Sequence, residues 1–203
     1  MNTGNLFIIT AASGAGKTSL IKALLKQDAH LKLSVSHTTR KPRPGETNGV
    51  DYHFVDDATF LTMLGDAQFL ESAEVHGARY GTSQSAVDGP LKAGFDVILE
   101  IDWQGAAQVR RLFPNAVSIF VLPPSIETLE HRLNSRGQDS QETISRRVAA
   151  AQSEMRHVGE FDYVTINDTF EVALQDIAAI MRAQRLVATV QLQRYASLIQ
   201  TLT

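Results

Sequence analysis

Ala11-Ala12-Ser13-Gly14-Ala15-Gly16-Lys17-Thr18 is the stretch of sequence that decides the fold. It follows the apolar run Leu6-Phe7-Ile8-Ile9-Thr10 and precedes an amphipathic run that begins at Ser19. A buried strand, a glycine-bearing loop, Lys-Thr and then a helix is the layout of a phosphate-binding loop, or P-loop. In such a loop the backbone N–H groups approach phosphate oxygens closely, and the N-terminus of the helix adds partial positive charge. The pattern predicts that a nucleoside triphosphate binds here.

Each part of this P-loop has an expected task. Lys17 is expected to reach the β- and γ-phosphates, and the Thr18 hydroxyl to ligate Mg²⁺, the expected cofactor. Ala11 stands where the usual pattern has glycine, so its φ must be negative. The alternative is a chance Gly-Lys-Thr at an ordinary helix start, against which the flanking strand and helix argue. The residues expected to hold the ATP phosphates are Ala12, Ser13, Gly14, Ala15, Gly16, Lys17, Thr18 and Ser19.

Length and composition restrict the class of protein. A chain of 203 residues is most simply one α/β domain with insertions. The net charge of −3 gives no reason to expect a nucleic-acid partner. The absence of cysteine excludes disulfides, thiolate catalysis and cysteine-based zinc sites. With neither a signal peptide nor a long apolar run, we expect no membrane association and a cytoplasmic location, and the sequence leaves monomer and homo-oligomer equally open.

Strands alternate with helices along the chain, which predicts an α/β fold with a parallel sheet covered on both faces. A strand-rich insertion is expected near residues 35–90 and a helical one near 125–158. Asp139 and Glu142 are expected to restart a helix. Because no glycine or proline follows Gly159, residues 170–202 are expected to form one long helix or two abutting ones. Strands are expected at residues 33–36, 52–55, 70–75, 97–102, 117–122 and 163–166.

A basic triplet lies on a loop that two prolines stiffen. Arg40 and Arg43 are three positions apart, with Lys41 between them, in a mildly acidic chain. A turn at Lys41-Pro42 would bring the two guanidinium groups together, and paired guanidinium groups suit a phosphate monoester better than one lysine does. These residues alone leave two interpretations open, a second anion site and a basic loop that faces solvent.

Motifs spread along the chain resemble those of the guanylate kinase family. They occur in order from about Leu6 to Arg185, and several are not shared by P-loop proteins at large. The segments that carry the resemblance are Ser36-His37-Thr38-Thr39-Arg40, Pro42-Arg43-Pro44-Gly45-Glu46, Asp51-Tyr52-His53-Phe54, Phe69-Leu70-Glu71, Tyr80-Gly81-Thr82-Ser83, Ile101-Asp102-Trp103-Gln104-Gly105, Leu122-Pro123-Pro124-Ser125, Arg132-Leu133-Asn134-Ser135-Arg136-Gly137 and Asn167-Asp168.

The resemblance implies a P-loop NTPase-type fold that transfers the γ-phosphoryl group of MgATP to GMP and, by extension, dGMP. It implies three moving parts: a core of residues 1–34, 91–124 and 159–203, a mixed β-rich GMP-binding domain of residues 35–90, and a helical lid of residues 125–158. Positions that match the family's catalytic residues are Lys17, Arg40, Arg43, Arg136 and Arg147. Those that match its GMP-binding residues are Ser36, Arg40, Arg43, Tyr52, Glu71, Tyr80, Thr82, Glu100 and Asp102.

Guanine chemistry supports two of these assignments independently. Guanine presents N1–H and N2–H₂ as adjacent donors, which one carboxylate such as Glu71 can accept together, while its O6 suits the Thr82 hydroxyl. Adenine reverses both groups. Each buried polar group left unpaired costs about 1–3 kcal/mol, so AMP should be rejected by roughly 10³-fold.

Asn167 follows a strand end and is expected to face the adenine of ATP. No general base is needed, because the acceptor phosphate is already ionised.

Two other functions remain open on the sequence. A guanylate-kinase-like module that binds peptides without catalysis should have a degraded P-loop and acceptor site, yet Lys17, Thr18, Arg40 and Arg43 are all present. A kinase for another small acceptor, such as a sugar phosphate, would leave Glu71 and Thr82 without a base to read.

Overall fold

The main structural unit is a five-stranded parallel sheet in the order β2-β7-β1-β8-β9. The structure is a computed structural model that describes residues 4–75, 77–134 and 141–202. Its first strand ends at the P-loop, as the sequence predicts. The strands of this sheet are β1 (Leu6–Ala11), β2 (Leu31–Ser34), β7 (Asp96–Glu100), β8 (Val117–Leu122) and β9 (Tyr163–Ile166).

Helices cover both faces of this sheet, and the alternation of side chains along β1 explains why. Phe7 and Ile9 point to one face, where α1 and α7 pack; Leu6 and Ile8 point to the other, where α3 and α4 pack. Because both faces are buried, the central strands are apolar throughout. The helices concerned are α1 (Lys17–Gln27), α3 (Gln84–Lys92), α4 (Trp103–Leu112) and α7 (Phe170–Arg185).

A second, mixed sheet lies between β2 and α3 in the chain. Its strand order is β4-β3-β6-β5, with β3 parallel to β4 and the other pairs antiparallel. Helix α2 (Asp57–Gly65) follows β4, and the Asp56 carboxylate caps it by accepting from the Thr59 amide at 2.7 Å. The strands are β3 (His37–Thr38), β4 (His53–Phe54), β5 (Phe69–Val75) and β6 (Ala78–Ser83).

Two helices lie above the P-loop. Leu129 and Leu133 of α5 (Ile126–Asn134) pack with Ile144 and Ala151 of α6 (Gln141–Met155) around Ala12 of the P-loop. A short 3₁₀ helix, Arg156–Glu160, leads from α6 back to β9. This packing places the face of α6 that carries Arg147 against the phosphate-binding loop. The predicted helix restart at Asp139 lies outside the described residues.

The C-terminal segment differs from expectation. Instead of one or two helices, it forms three: α7, α8 (Ala188–Arg194) and α9 (Ala196–Leu202). The break after α7 is stabilised by the Gln191 side-chain amide, which donates to the free carbonyl of Arg185 at 2.6 Å. Neither α8 nor α9 has a buried residue, so packing does not force them into one continuous helix.

The predicted strand at residues 33–36 is also shifted. β2 ends at Ser34, in register with Leu99 of β7, and Ser36 lies in the connection between β2 and β3, in neither strand. The strands predicted at 117–122 and 163–166 are confirmed at those bounds.

Among the described residues, no helix combines the length and apolar character that crossing a bilayer requires.

Candidate active site

The P-loop has the backbone geometry that anion binding requires. Gly14 and Gly16 adopt positive φ values of 94° and 99°, where a side chain would be strained. The Ala15 amide donates to the Ala12 carbonyl at 3.0 Å, which closes the loop, and α1 begins at Lys17. Ala11 is not among the residues with positive φ, so the predicted condition for alanine at this position is met.

Two functional side chains of the P-loop reach across to the end of β7. The Lys17 Nζ donates to the Ile101 carbonyl at 3.3 Å, and the Thr18 hydroxyl donates to Glu100 Oε1 at 2.5 Å. The Thr10 hydroxyl donates to the same Ile101 carbonyl at 3.0 Å, which fixes the end of β1 against the end of β7. The carboxyl ends of these adjacent parallel strands therefore bring together an ammonium, a hydroxyl and a carboxylate.

Arg40 is held by an ion pair that the sequence motifs do not predict. Its Nη1 and Nη2 donate to the two oxygens of Glu46 at 3.0 and 2.8 Å, and Nη1 also donates to the Lys41 carbonyl at 2.7 Å. The side chains of Arg40 and Glu46 are only 17% and 18% exposed. The Arg40 guanidinium lowers the pKa of Glu46, although partial burial opposes the shift. The signal in the sequence was the Glu46 carboxylate placed three residues after Arg43, inside the same turn.

The turn after Arg40 also orients Arg43. The Arg43 amide donates to Glu46 Oε2 at 2.7 Å, and the Glu46 amide donates back to the Arg43 carbonyl at 3.1 Å. Arg43 is exposed, yet its side chain lines the same cavity as Arg40. The Glu46 carboxylate therefore fixes both arginines of the predicted acceptor site. It accepts from the side chain of Arg40 and from the backbone amide of Arg43.

Aromatic and hydroxyl groups surround the arginines. The Arg40 guanidinium lies 5.4 Å from the centre of the Tyr52 ring, and Tyr52 meets Tyr80 edge to face at 5.9 Å. Burial raises the pKa of the Tyr52 hydroxyl, with Glu100 adding to the shift, so Tyr52 stays a neutral hydrogen-bond donor. Ser36 Oγ and Thr82 Oγ1 lie 3.0 Å apart, in the floor of the same region.

Glu71 forms a buried acidic site between the two sheets. It is 4% exposed, and it lies against Gly105 so closely that a Cβ on that residue would collide with the carboxylate. Asp102 caps α4 by accepting from the Gly105 amide at 2.9 Å. Burial raises the pKa of Glu71 to about 7, hydrogen bonds with Thr82 oppose the shift, and the neighbouring Asp102 carboxylate adds to it. Glu71 and Thr82 are thus adjacent, as the guanine-reading prediction requires.

The helix above the P-loop contributes one predicted arginine. Arg147 Nη2 donates to the Ser13 hydroxyl at 2.9 Å, and Glu154 Oε2 accepts from the Ser13 amide at 3.3 Å. Glu154 was not predicted, and no motif marks it. Arg132 of α5 donates from Nη2 to the Asn167 carbonyl at 2.9 Å. The predicted catalytic residue Arg136 lies outside the described residues.

Almost all the predicted site residues line one cavity of about 300 Å³. Ala15, Thr82 and Asn167 are behind its wall: all three are buried, and the Asn167 side chain faces the back of the P-loop. The adenine contact of Asn167 stays a prediction. The predicted residues that line the cavity are Ala12, Ser13, Gly14, Gly16, Lys17, Thr18, Ser19, Ser36, Arg40, Arg43, Tyr52, Glu71, Tyr80, Glu100, Asp102 and Arg147.

Comparison with known proteins agrees with this geometry. The profile of the family described as Guanylate kinase matches residues 3–184. A guanylate kinase from Methylobacillus flagellatus is 67% identical, over 98% of each chain. One from Dechloromonas aromatica is 56% identical, over 97% of this chain and 98% of the other. The crystal structure of guanylate kinase from Anaplasma phagocytophilum superposes with a TM-score of 0.79 at 32% identity, covering 92% of this chain and 89% of that one. The chain belongs to the guanylate kinase family.

Proposed function

We propose that this protein transfers the γ-phosphoryl group of ATP to GMP, giving ADP and GDP, for purine nucleotide metabolism. The observation that carries the proposal is that one cavity is lined by Lys17 and Thr18 on one side and by Arg40 and Glu71 on the other. Lys17 and the P-loop amides suit the donor triphosphate, whereas Arg40 and Arg43 suit an acceptor phosphate. Two polyanions can then approach each other because each is neutralised separately.

The chemistry asks for alignment and charge neutralisation more than for proton transfer. Arg40 and Arg43, with Ser36, Tyr52 and Tyr80, hold the phosphate of GMP. Glu71 and Thr82 read the guanine edge, and Asp102 stands beside them. Arg147 reaches the P-loop from α6 and stabilises charge on the transferring group. Arg136 belongs to the same proposal on the strength of its motif alone.

The residues present fit Mg²⁺. Thr18 Oγ1 and Glu100 Oε1 lie 2.5 Å apart at the cavity wall, and hydroxyl and carboxylate oxygens are ligands that this ion prefers alongside substrate phosphates. In the part of the chain that the structure describes, no group of three or more His, Asp or Glu side chains forms a metal site by itself. The nucleotide phosphates would complete the coordination, and the bound ion would neutralise part of their charge. Thr18 is therefore proposed as the protein ligand, with Glu100 holding its hydroxyl.

Domain motion belongs to the same proposal. Residues 35–90 form the GMP-binding domain and residues 125–158 the lid, both of which close on the core of residues 1–34, 91–124 and 159–203. Closure would exclude water and suppress hydrolysis of ATP. The lack of a nucleic-acid partner and the cytoplasmic location stay predictions.

A single assay separates the proposed function from its rivals. ADP production is measured with MgATP and, in turn, GMP, AMP, UMP and ribose 5-phosphate. The proposal predicts a strong preference for GMP. Turnover of ribose 5-phosphate alone would favour a sugar-phosphate kinase, and turnover of none would favour a peptide-binding module.

Arg40→Ala should lower kcat/KM for GMP by about 100-fold, because a partly buried cation that lines the cavity beside the proposed acceptor phosphate is lost. The KM for ATP should change by less than about threefold. Steady-state kinetics with both substrates varied checks this. Arg79→Ala is the matched control: Arg79 lies on β6, which pairs with the β3 strand just before Arg40, but its side chain pairs with Asp57 at 2.9 Å. An unchanged kcat/KM in Arg40→Ala would remove Arg40 from the site.

GMP use should depend on pH through Glu71, whose pKa burial raises to about 7. Guanine N1–H and N2–H₂ require the ionised carboxylate as acceptor, so binding is lost as pH falls through 7. Between pH 8 and pH 6, kcat/KM for GMP should fall about tenfold. The GMP phosphate also titrates, near pH 6, so the profile of Glu71→Gln gives that contribution alone. Identical profiles for the two proteins would contradict the prediction.

A further inference from the structure

Asn167 is anchored behind the P-loop on three sides. Its Nδ2 donates to the Ala15 carbonyl at 2.7 Å, its backbone amide donates to the Leu122 carbonyl at 2.8 Å, and its carbonyl accepts from Arg132 at 2.9 Å. The residue is 4% exposed. These contacts join the end of β8 and helix α5 to one carbonyl of the phosphate-binding loop.

The bond to Ala15 fixes the direction of a phosphate-binding donor. The peptide that joins Ala15 to Gly16 is planar and trans, so its carbonyl and its N–H point in opposite directions. Asn167 holds the carbonyl at the back of the loop. The Gly16 N–H therefore faces the front, and Gly16 lines the cavity whereas Ala15 does not.

The loop does not fix this peptide without help. Gly16 has no Cβ and adopts either sign of φ readily, so a reversed peptide is sterically accessible. Reversal would aim the Ala15 carbonyl oxygen at the phosphates and remove one donor. The fit between the two residues is tight, because a Cβ on Gly16 would collide with Asn167 Nδ2.

We propose that Asn167 is a positioning residue for the donor triphosphate: its side-chain amide holds the Ala15–Gly16 peptide so that the Gly16 N–H faces the phosphates. This rests on the proposed placement of ATP in the P-loop. In this role Nδ2 acts on the phosphates only through the Ala15–Gly16 peptide. The sequence instead predicts that Asn167 contacts the adenine base. The two roles differ in what they require of the ligand, since only the second needs a base.

The test measures the Kd of three probes by calorimetry: MgADP, magnesium tripolyphosphate, which has no base, and GMP. In Asn167→Ala, the Kd of MgADP and of tripolyphosphate should both rise by about tenfold, the usual cost of a buried carbonyl left unpaired. Asn167→Asp should raise both Kd values more than Asn167→Ala does, because an ionised carboxylate, which has no donor, would face the Ala15 carbonyl oxygen. The Kd of GMP should stay within about twofold in both variants. Asn115→Ala, an exposed asparagine in the loop that precedes β8, is the control.

Three outcomes would overturn the proposal. A higher Kd for MgADP with an unchanged Kd for tripolyphosphate in the Asn167 variants would assign the side chain to the adenine base. Equal weakening of all three probes would mean that Asn167 only supports the fold, and unchanged affinities would give it no role. If wild-type protein bound neither MgADP nor tripolyphosphate, the P-loop assignment itself would fail first.

A measurement on the wild-type protein covers the case in which the variants do not fold. The side-chain amide resonance of Asn167 is followed by ¹⁵N NMR. It should be protected from exchange without ligand and should shift equally with tripolyphosphate and MgADP. A shift with MgADP alone would contradict the proposal.

Discussion

Lys17→Ala should lower kcat by about a thousandfold while leaving the fold intact. The Lys17 ammonium lies at the end of β7, where Nζ donates to the Ile101 carbonyl at 3.3 Å, and its side chain lines the cavity. Charge develops on the transferring phosphoryl group, and removal of one preorganised donor typically costs 10²–10³-fold, roughly, in rate. Single-turnover kinetics with saturating MgATP and GMP measures the effect on the chemical step.

Lys26→Ala is the matched control for Lys17→Ala. Lys26 lies in the last turn of the same helix and is exposed, so its removal should change kcat by less than about twofold. Thermal unfolding of both variants should match wild type within a few degrees. A Lys17→Ala enzyme with wild-type rates would reject the P-loop as the donor site.

Glu71→Gln should lower the selectivity for GMP over AMP by about 100-fold. The amide keeps one acceptor oxygen but presents an N–H₂ group to a guanine donor, which leaves two buried groups mismatched at about 1–3 kcal/mol each. Most of the loss should appear in kcat/KM for GMP, because adenine gains little from the new donor. Competition assays with GMP and AMP in one mixture measure the ratio directly.

Glu74→Gln controls for the loss of a charge from the same strand. Glu74 lies three residues further along β5, with its side chain 61% exposed and 3.7 Å from Arg79. Its replacement should leave selectivity unchanged, since surface pairs contribute little. Undiminished selectivity in Glu71→Gln would show that another group reads the base.

The sequence predicted the core of the fold because its signals are local. The apolar runs at residues 117–122 and 163–166 form strands with those bounds, and Gly14, Gly16 and Lys17 form the loop that the motif requires. The C-terminal prediction was wrong because it relied on the absence of glycine and proline. A bond from the Gln191 side chain to the Arg185 carbonyl stabilises the break after α7, with neither glycine nor proline there.

The site was predictable where sequence motifs mark its residues and less so where residues contact each other. The motifs marked Arg40, Arg43, Glu71 and Thr82, and the structure groups them at one cavity or its wall. The pairing of Arg40 with Glu46 is local, six positions apart within one turn, whereas the bond from Asn167 to Ala15 spans 152 positions of the chain and depends on the tertiary fold. No local pattern encodes a contact between two distant segments.

The central claim is that a donor-phosphate site at Lys17 and an acceptor site at Arg40, Arg43 and Glu71 face each other across one cavity. A crystal structure of the complex with GMP and MgADP tests it most directly. The account predicts the ADP phosphates in the P-loop, the GMP phosphate on Arg40 and Arg43, and the guanine edge on Glu71. A complex in which GMP binds elsewhere, with Arg43 directed to bulk solvent, would contradict it.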